Sequence, residues 1–432
     1  MKTRALLVLG SLFALSSTQS YSQFQPIINS PATALYKEAA FYLEQYYFGY
    51  SSVDLPGLTE QYRQELENAC APQGSNCSFE TARPFIERLT SSLRDGHSYY
   101  VSAASYKSAL SSFAGVNTNP NPSFGFVPGA VNAKNEIVIL DVSGDTPAQE
   151  AGLQPFDRIT GINGVKFQAS TALNTLYSSL NTESPVRFSI ARGDALKPVL
   201  LEIIMKRRYT PNLNLPFSYV AAGHPGVVVM RFPNFIGFND IGPKTHAMVK
   251  DAIAKKAKAI IIDVRGNIGG EETECSSAAA AFVAGGVEFM GQTKYLKLPW
   301  GFKDGKTTGN DARDLRSYSI IDPQLWKGKM AVLVNRSTAS CGEIFAYAVQ
   351  RAKRGKVVGE TTLGVLNTAT DYFSLIDQSA VAITYSRTFN LDGSPLPERI
   401  TPDVMLEFNT QKIAQTGKDD LLEKALQGMG VK

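Results

Sequence analysis

Ser340 stands where an apolar strand pattern gives way to a helical one. Asn335-Arg336-Ser337-Thr338-Ala339-Ser340-Cys341-Gly342-Glu343-Ile344 follows Met330 to Val334, a run of buried-strand type. It precedes Ile344, Phe345, Ala348 and Val349 at helical spacing, with Gly355 as the expected stop. A hydroxyl at such a junction sits among N–H groups that lack intrahelical acceptors and at the positive end of the helix dipole, both suited to an oxyanion. Serine and threonine at junctions also serve as plain helix caps, so Ser340 gains meaning only from its company. Two segments supply that company. Asp263-Val264-Arg265-Gly266-Asn267-Ile268-Gly269-Gly270 follows the buried-type strand Ala259 to Ile262, and its glycines let backbone approach a ligand. Leu93-Arg94-Asp95-Gly96-His97-Ser98 contributes one of only three histidines. A serine hydroxyl is a weak nucleophile, so an imidazole must take its proton and a carboxylate must hold that imidazole in the right tautomer.

The other histidines offer less. His224 lies in Ala-Gly-His-Pro-Gly, a turn signal, and His246 lies in a helical pattern between Pro243 and Lys256, so both read as surface or structural residues. Three dispersed histidines and no Cys-x-x-Cys pair give no metal-site signature, and no cofactor is expected. The formal net charge is only +4 without a dense Lys/Arg block, which argues against nucleic acid as a partner.

In this order, the strand-Asn-x-x-Ser/Thr-Ala-Ser-x-x-Glu-Ile and Asp-x-Arg-x-Asn-x-Gly-Gly patterns resemble the serine peptidase family of C-terminal processing proteases and tricorn-like proteases. The resemblance runs from about residue 30 to the C-terminus. It implies Ser340 as nucleophile and oxyanion N–H groups from Cys341 and Gly269, with Gly270 as the neighbouring alternative. The usual processing proteases activate serine with a lysine in a Gly-Lys-Gly stretch. Here Gly359-Glu360-Thr361-Thr362-Leu363-Gly364-Val365-Leu366 puts Val365 in that place, and valine accepts no proton. The tricorn-like branch uses a histidine from an Asp-Gly-His motif and a glutamate before a terminal Pro-Asp, which selects His97 and, in Pro397-Glu398-Arg399-Ile400-Thr401-Pro402-Asp403, Glu398. The position of that branch's relay serine is Gly96, so Glu398 is expected to act directly or through water, with Asp95 as the competing orienter. Glu343 reads as a first-turn residue that holds the loop rather than a proton carrier.

A separate module precedes this core. Ser123-Phe124-Gly125-Phe126, Ile137 to Val142, Thr146 to Leu153 and Asp157 to Gly164 look like a PDZ domain. That resemblance implies that Phe124, Gly125 and Phe126 present N–H groups to a peptide carboxylate, while the peptide adds as a strand. The same module could instead only brace or gate the site.

These residues must be positioned by a multidomain α/β chain. A length of 432 residues exceeds one ordinary core, and 44% hydrophobic content is globular. The expected layout is a signal peptide over 1–22, an N-terminal helical domain over 23–115 that delivers His97, a PDZ-like β-rich domain over 120–207, and a catalytic core over 208–432. The resemblance implies that this core is crotonase-like, built of ββα units, and Asp392-Gly393 suggests a hairpin turn within it. Met1-Lys2-Thr3-Arg4, apolar Ala5 to Leu15 and Ser20-Tyr21-Ser22 have the three regions of a secretory leader, too short in the apolar part to span a bilayer, which takes ~20 residues. Export, periplasmic or secreted and without a stable membrane anchor, permits disulfides. Cys70 and Cys77 bracket a turn-rich loop and are expected to bridge, whereas Cys275 and Cys341 pair only if the fold brings them within reach. The reading is an exported serine endopeptidase acting on peptides or proteins, its oligomeric state left open. The alternative is a non-catalytic peptide-binding protein on the same frame.

Overall fold

The protein is described as a computed structural model over residues 29–431, except 118, 120, 169, 170 and 310–316. The expected leader over 1–22 lies outside the described residues. The chain opens with three helices, Pro31–Tyr46, Leu55–Cys70 and Phe79–Ser92. Ser30 and Thr33 form a reciprocal capping box on the first, and Asp54 caps the second by accepting from the Gly57 N–H. Leu35, Leu43, Leu66, Ile86 and Leu89 are fully buried between them. Their core is completed by Leu375, Val381 and Ile383 from far along the chain, so the helical segment does not close a core alone. Cys70 and Cys77 are bonded across the turn between the second and third helices, with Cα atoms 5.3 Å apart. After His97, strand Tyr99–Val101 pairs antiparallel with Ala380–Asn390, Tyr99 opposite Ala382. That pairing fastens the histidine loop to the C-terminal part of the chain.

The sheet so joined runs Tyr99–Val101, Ala380–Asn390, Val287–Gln292, Lys297–Lys303, Lys306–Thr308, with Thr368–Ser374 also paired to Ala380–Asn390. The expected turn at Asp392-Gly393 follows Ala380–Asn390, with Gly393 at φ 82°. A second sheet runs Val404–Met405, Lys356–Gly359, Lys329–Val334, Ala259–Asp263, Val227–Arg231, Phe217–Val220, parallel except at the last pair. Its inner strands are apolar at almost every residue because both faces are covered. Ile260, Ile262, Val332 and Val334 pack with Phe345 of helix Cys341–Arg351 and with Phe282, just past helix Glu272–Ala280, on one face. Ile261, Ala331 and Leu333 pack with Leu421 and Ala425 of helix Asp420–Gly428 on the other. Asp263 is opposite Leu333, so the loops carrying Gly269 and Ser340 leave adjacent strands at the same carboxyl edge, where open α/β sheets place their sites.

The third sheet, Phe126–Val131, Ile137–Val142, Arg158–Ile162, Val186–Arg192, Val199–Met205, encloses Phe124, Ile139, Leu176 and Phe188. Phe126–Val131 is an edge strand, its one ladder partner being Ile137–Val142. This module is docked on the core. Arg231 forks onto the Asp141 carboxylate with N–O distances of 2.6 and 3.0 Å, and the Arg265 guanidinium lies between Phe156 of the module and Phe408 of the core.

Candidate active site

Lys329–Val334 turns into helix Cys341–Arg351 through Asn335 to Ser340, and two contacts fix that turn. Asn335 Oδ1 accepts from the Gly266 N–H at 2.8 Å, and the Ala339 N–H donates to the Asn267 carbonyl at 2.9 Å. Arg265 is spent in the same region, its charge taken by Asp263 and Asp419, both within 2.8 Å. The helix stops at Arg351, four residues before the expected Gly355.

Ser340 has φ 50° and ψ −120°, a backbone state that costs a non-glycine residue about 1–3 kcal/mol. This strained strand-to-helix turn makes Ser340 the N-cap residue, beside the N-terminal N–H groups of the helix. The Cys341 N–H has no acceptor among the described residues, as expected at the first position of a helix. Gly269 packs directly on the serine, for a Cβ there would lie 2.7 Å from Ser340 Cβ at φ 99°. Its own N–H, however, donates to Asn267 Oδ1 at 2.9 Å. The Gly270 N–H has no partner among the described residues, while its neighbours are fastened to Phe235 on both sides. Of the two glycines, Gly270 has the free donor and Gly269 supplies the closeness.

Glu343 is fully buried one turn into the helix and accepts four bonds. Thr362 Oγ1 and the Gly364 N–H reach Oε1, and the Ser340 and Val365 N–H groups reach Oε2 at 2.9 and 3.0 Å. Burial raises its pKa, and these donors oppose the rise. Glu343 thus ties the serine turn to the loop bearing Val365. A Cβ on Gly96 would lie 3.0 Å from Val365 Cγ1, so the contacts run on to the histidine loop.

His97 is buried, and desolvation pushes its pKa down to about 4 with the Asp95 charge partly opposing, so the ring is neutral at pH 7. Nδ1 lies 2.9 Å from Thr368 Oγ1. The Asp95 carboxylate is occupied by its own loop, accepting from the His97 and Ser98 N–H groups at 3.1 and 2.8 Å and from Ser98 Oγ at 3.0 Å. Glu398 sits beside the Val365 loop, its carbonyl accepting from the Leu366 N–H at 3.0 Å, but its carboxylate pairs with Arg399 and is 63% exposed. A cleft of about 960 Å³ separates the helical segment from these loops, and Gly96, Val365, Thr368, Glu398 and Arg399 all line it. Thr368 was not legible in the sequence, because a threonine opening a strand carries no signal of its own. His224 pairs with Glu423 at the surface, and buried His246 is spent between the Ser277 carbonyl and the Gln324 N–H.

Cys275 and Cys341 are bonded, with Cα atoms 5.7 Å apart. The residue after Ser340 is therefore joined covalently to helix Glu272–Ala280, which starts two residues beyond Gly270. Among the described residues no cluster suits a metal ion, and no helix is long and apolar enough to cross a membrane. In the third sheet's module the Phe124 and Gly125 carbonyls accept from Ala148 and Ser143, while their N–H groups carry no partner among the described residues.

Residues 226–406 match Peptidase family S41, and residues 125–203 match the PDZ domain. The carboxy-terminal processing protease CtpA of Bacillus subtilis (strain 168) is 27% identical over 371 residues, 80% of this chain and 71% of the relative. A CtpA-like serine protease of Staphylococcus aureus (strain bovine RF122 / ET3-1) is 27% identical over 345 residues, 76% of this chain and 61% of its own length. The solved structure of an S41 protease from Bacteroides fragilis NCTC 9343 superimposes with a TM-score of 0.50 at 15% identity, covering 81% of this chain and 90% of that one. That likeness speaks to the fold alone.

Proposed function

We propose, from the premise that this chain is a CtpA-like serine-type peptidase of family S41 with a PDZ domain, that it is an exported endopeptidase working through Ser340, His97 and Glu398 rather than through a serine/lysine pair. The observation that supports the reading is the imidazole of His97: buried, neutral at pH 7, and 2.9 Å at Nδ1 from the Thr368 hydroxyl, with no partner at Nε2 among the described residues. Val365, 3% exposed, fills the lysine's place with a methyl-bearing side chain that neither takes nor gives a proton. His97 Nε2 takes the Ser340 proton as Oγ attacks the scissile carbonyl. The Cys341 and Gly270 N–H groups hold the resulting oxyanion, and the imidazolium returns its proton to the leaving amine. Glu398, in the same cleft as Thr368, supplies negative charge on the Nδ1 side once substrate draws it from Arg399. Substrates are peptides or proteins. Their chain ends would meet the PDZ domain at the free N–H groups of Phe124 and Gly125 and along the open edge of Phe126–Val131. Export is supported by two disulfides, which an oxidising compartment sustains.

One observation favours the second reading, a peptide-binding protein without catalysis: the Glu398 carboxylate is turned to Arg399. A fluorophosphonate probe separates the two. An activated Ser340 should label in the mature protein, lose all label in Ser340→Ala, and lose most of it in His97→Ala, with peptide cleavage falling in parallel. Absence of labelling and of cleavage, repeated with candidate peptides present, would leave the binding protein as the account.

A further inference from the structure

The ring of His97 has one hydrogen-bond partner among the described residues, and it is a hydroxyl from a strand far along the chain. Thr368 Oγ1 stands 2.9 Å from Nδ1, and Thr368 is only 8% exposed. Two residues on, the Thr370 hydroxyl donates to the His97 carbonyl at 2.8 Å. Ring and backbone of the histidine are therefore gripped from one edge, strand Thr368–Ser374, which is itself laddered to Ala380–Asn390. The nearer carboxylate cannot substitute, since Asp95 spends both oxygens on its own loop. Resting on the reading of His97 as base, we infer that Thr368 is its positioning residue: its hydroxyl accepts the Nδ1–H, fixes the tautomer with Nε2 bare, and shares the charge when Nε2 takes the serine proton.

Threonine suits this task. Its hydroxyl has two acceptor lone pairs and one proton, so it accepts from Nδ1 and directs its own O–H onward. Glu398 lines the same cleft, its carboxylate paired with Arg399. Its β-branched side chain has few rotamers, which keeps the acceptor in place at small entropic cost. No proton leaves Thr368 in the cycle: Ser340 Oγ–H passes to Nε2 and then to the leaving group, while Nδ1–H and Oγ1–H stay where they are. A hydrogen bond strengthens as the ring becomes charged, so the contact is worth more in the transition state than before it.

The test uses the mature chain and an alkyl fluorophosphonate, with the second-order labelling rate of Ser340 as one readout. Imidazole ¹⁵N shifts are the other, His97 being identified among three histidines by its loss in His97→Ala. Thr368→Val should slow labelling roughly tenfold to a hundredfold, equivalent to about 1.4–2.7 kcal/mol. It should also turn a pure Nδ1–H signal for His97 into a mixture of tautomers. Thr368→Ser should keep the pure signal and stay within about threefold of the parent rate. Should the valine variant not fold, Thr368→Cys carries the same comparison, since a thiol is a weak acceptor. Unchanged rate and tautomer in Thr368→Val, with labelling largely lost in His97→Ala, overturns the role of Thr368 alone. Full labelling in His97→Ala overturns instead the assignment of the base.

Discussion

Glu343→Gln should damage the enzyme in two separable ways. The carboxylate accepts from Thr362 and Gly364 on one oxygen and from Ser340 and Val365 on the other. An amide must turn its NH₂ toward one of these pairs. The Thr362 side is the cheaper choice, because a hydroxyl can rotate and accept, and only the Gly364 N–H is then stranded. A buried donor left without a partner costs about 1–3 kcal/mol, and the surviving bonds lose charge assistance. Neutralising the group offsets part of this, because burial already holds its pKa high. A net loss of about 2 kcal/mol follows, or roughly 4–8 °C in Tm if the core melts as one unit of ordinary size. The rate should fall further than the stability. The same bonds set the Ser340 turn and the Val365 loop, and a misplacement of about 1 Å costs on the order of a hundredfold. Calorimetry, and peptide cleavage at a temperature where the variant is folded, measure the two effects. A residue that only holds the loop lowers the plateau of the pH–rate profile and leaves its limbs in place. Parent-like Tm and rate, or a vanished limb, would refute the bridging role.

His97 gives a pH prediction. Its folded pKa is lowered from 6.5 to about 4, so stability is full above pH 6.5 and is lost as pH falls through the interval down to 4. At about 1.4 kcal/mol per unit this amounts to about 3 kcal/mol, absent in His97→Ala. The acid limb of kcat/KM should lie near pH 4–5, and a limb at 6.5 or above would contradict the buried neutral ring. Gly269→Ala puts a methyl 2.7 Å from Ser340 Cβ on backbone at φ 99°, so fluorophosphonate labelling should drop at least a hundredfold, and labelling at the parent rate would disprove the close packing.

Much of this protein was fixed by its own local pattern. The apolar runs at 259–262 and 330–334, the Gly-Gly loop and the serine junction are legible because strand burial, glycine freedom and helix starts depend on neighbours in sequence. The PDZ landmarks are legible for the same reason, and the short turn between Cys70 and Cys77 holds its ends in reach wherever the domain lies. Other features depended on which distant segments meet. The pairing of Cys275 with Cys341 follows from two loops leaving adjacent parallel strands at one edge. That the Gly269 N–H is taken follows from where Asn267 turns its amide. The helical segment closes its core only with Val381 and Ile383. Thr368 meets His97 across 271 positions because Tyr99–Val101 and Thr368–Ser374 both pair with Ala380–Asn390. A hydroxyl's chemistry depends on the atom opposite it. For this chain that atom is chosen by the ladder of a sheet, which no window of sequence contains.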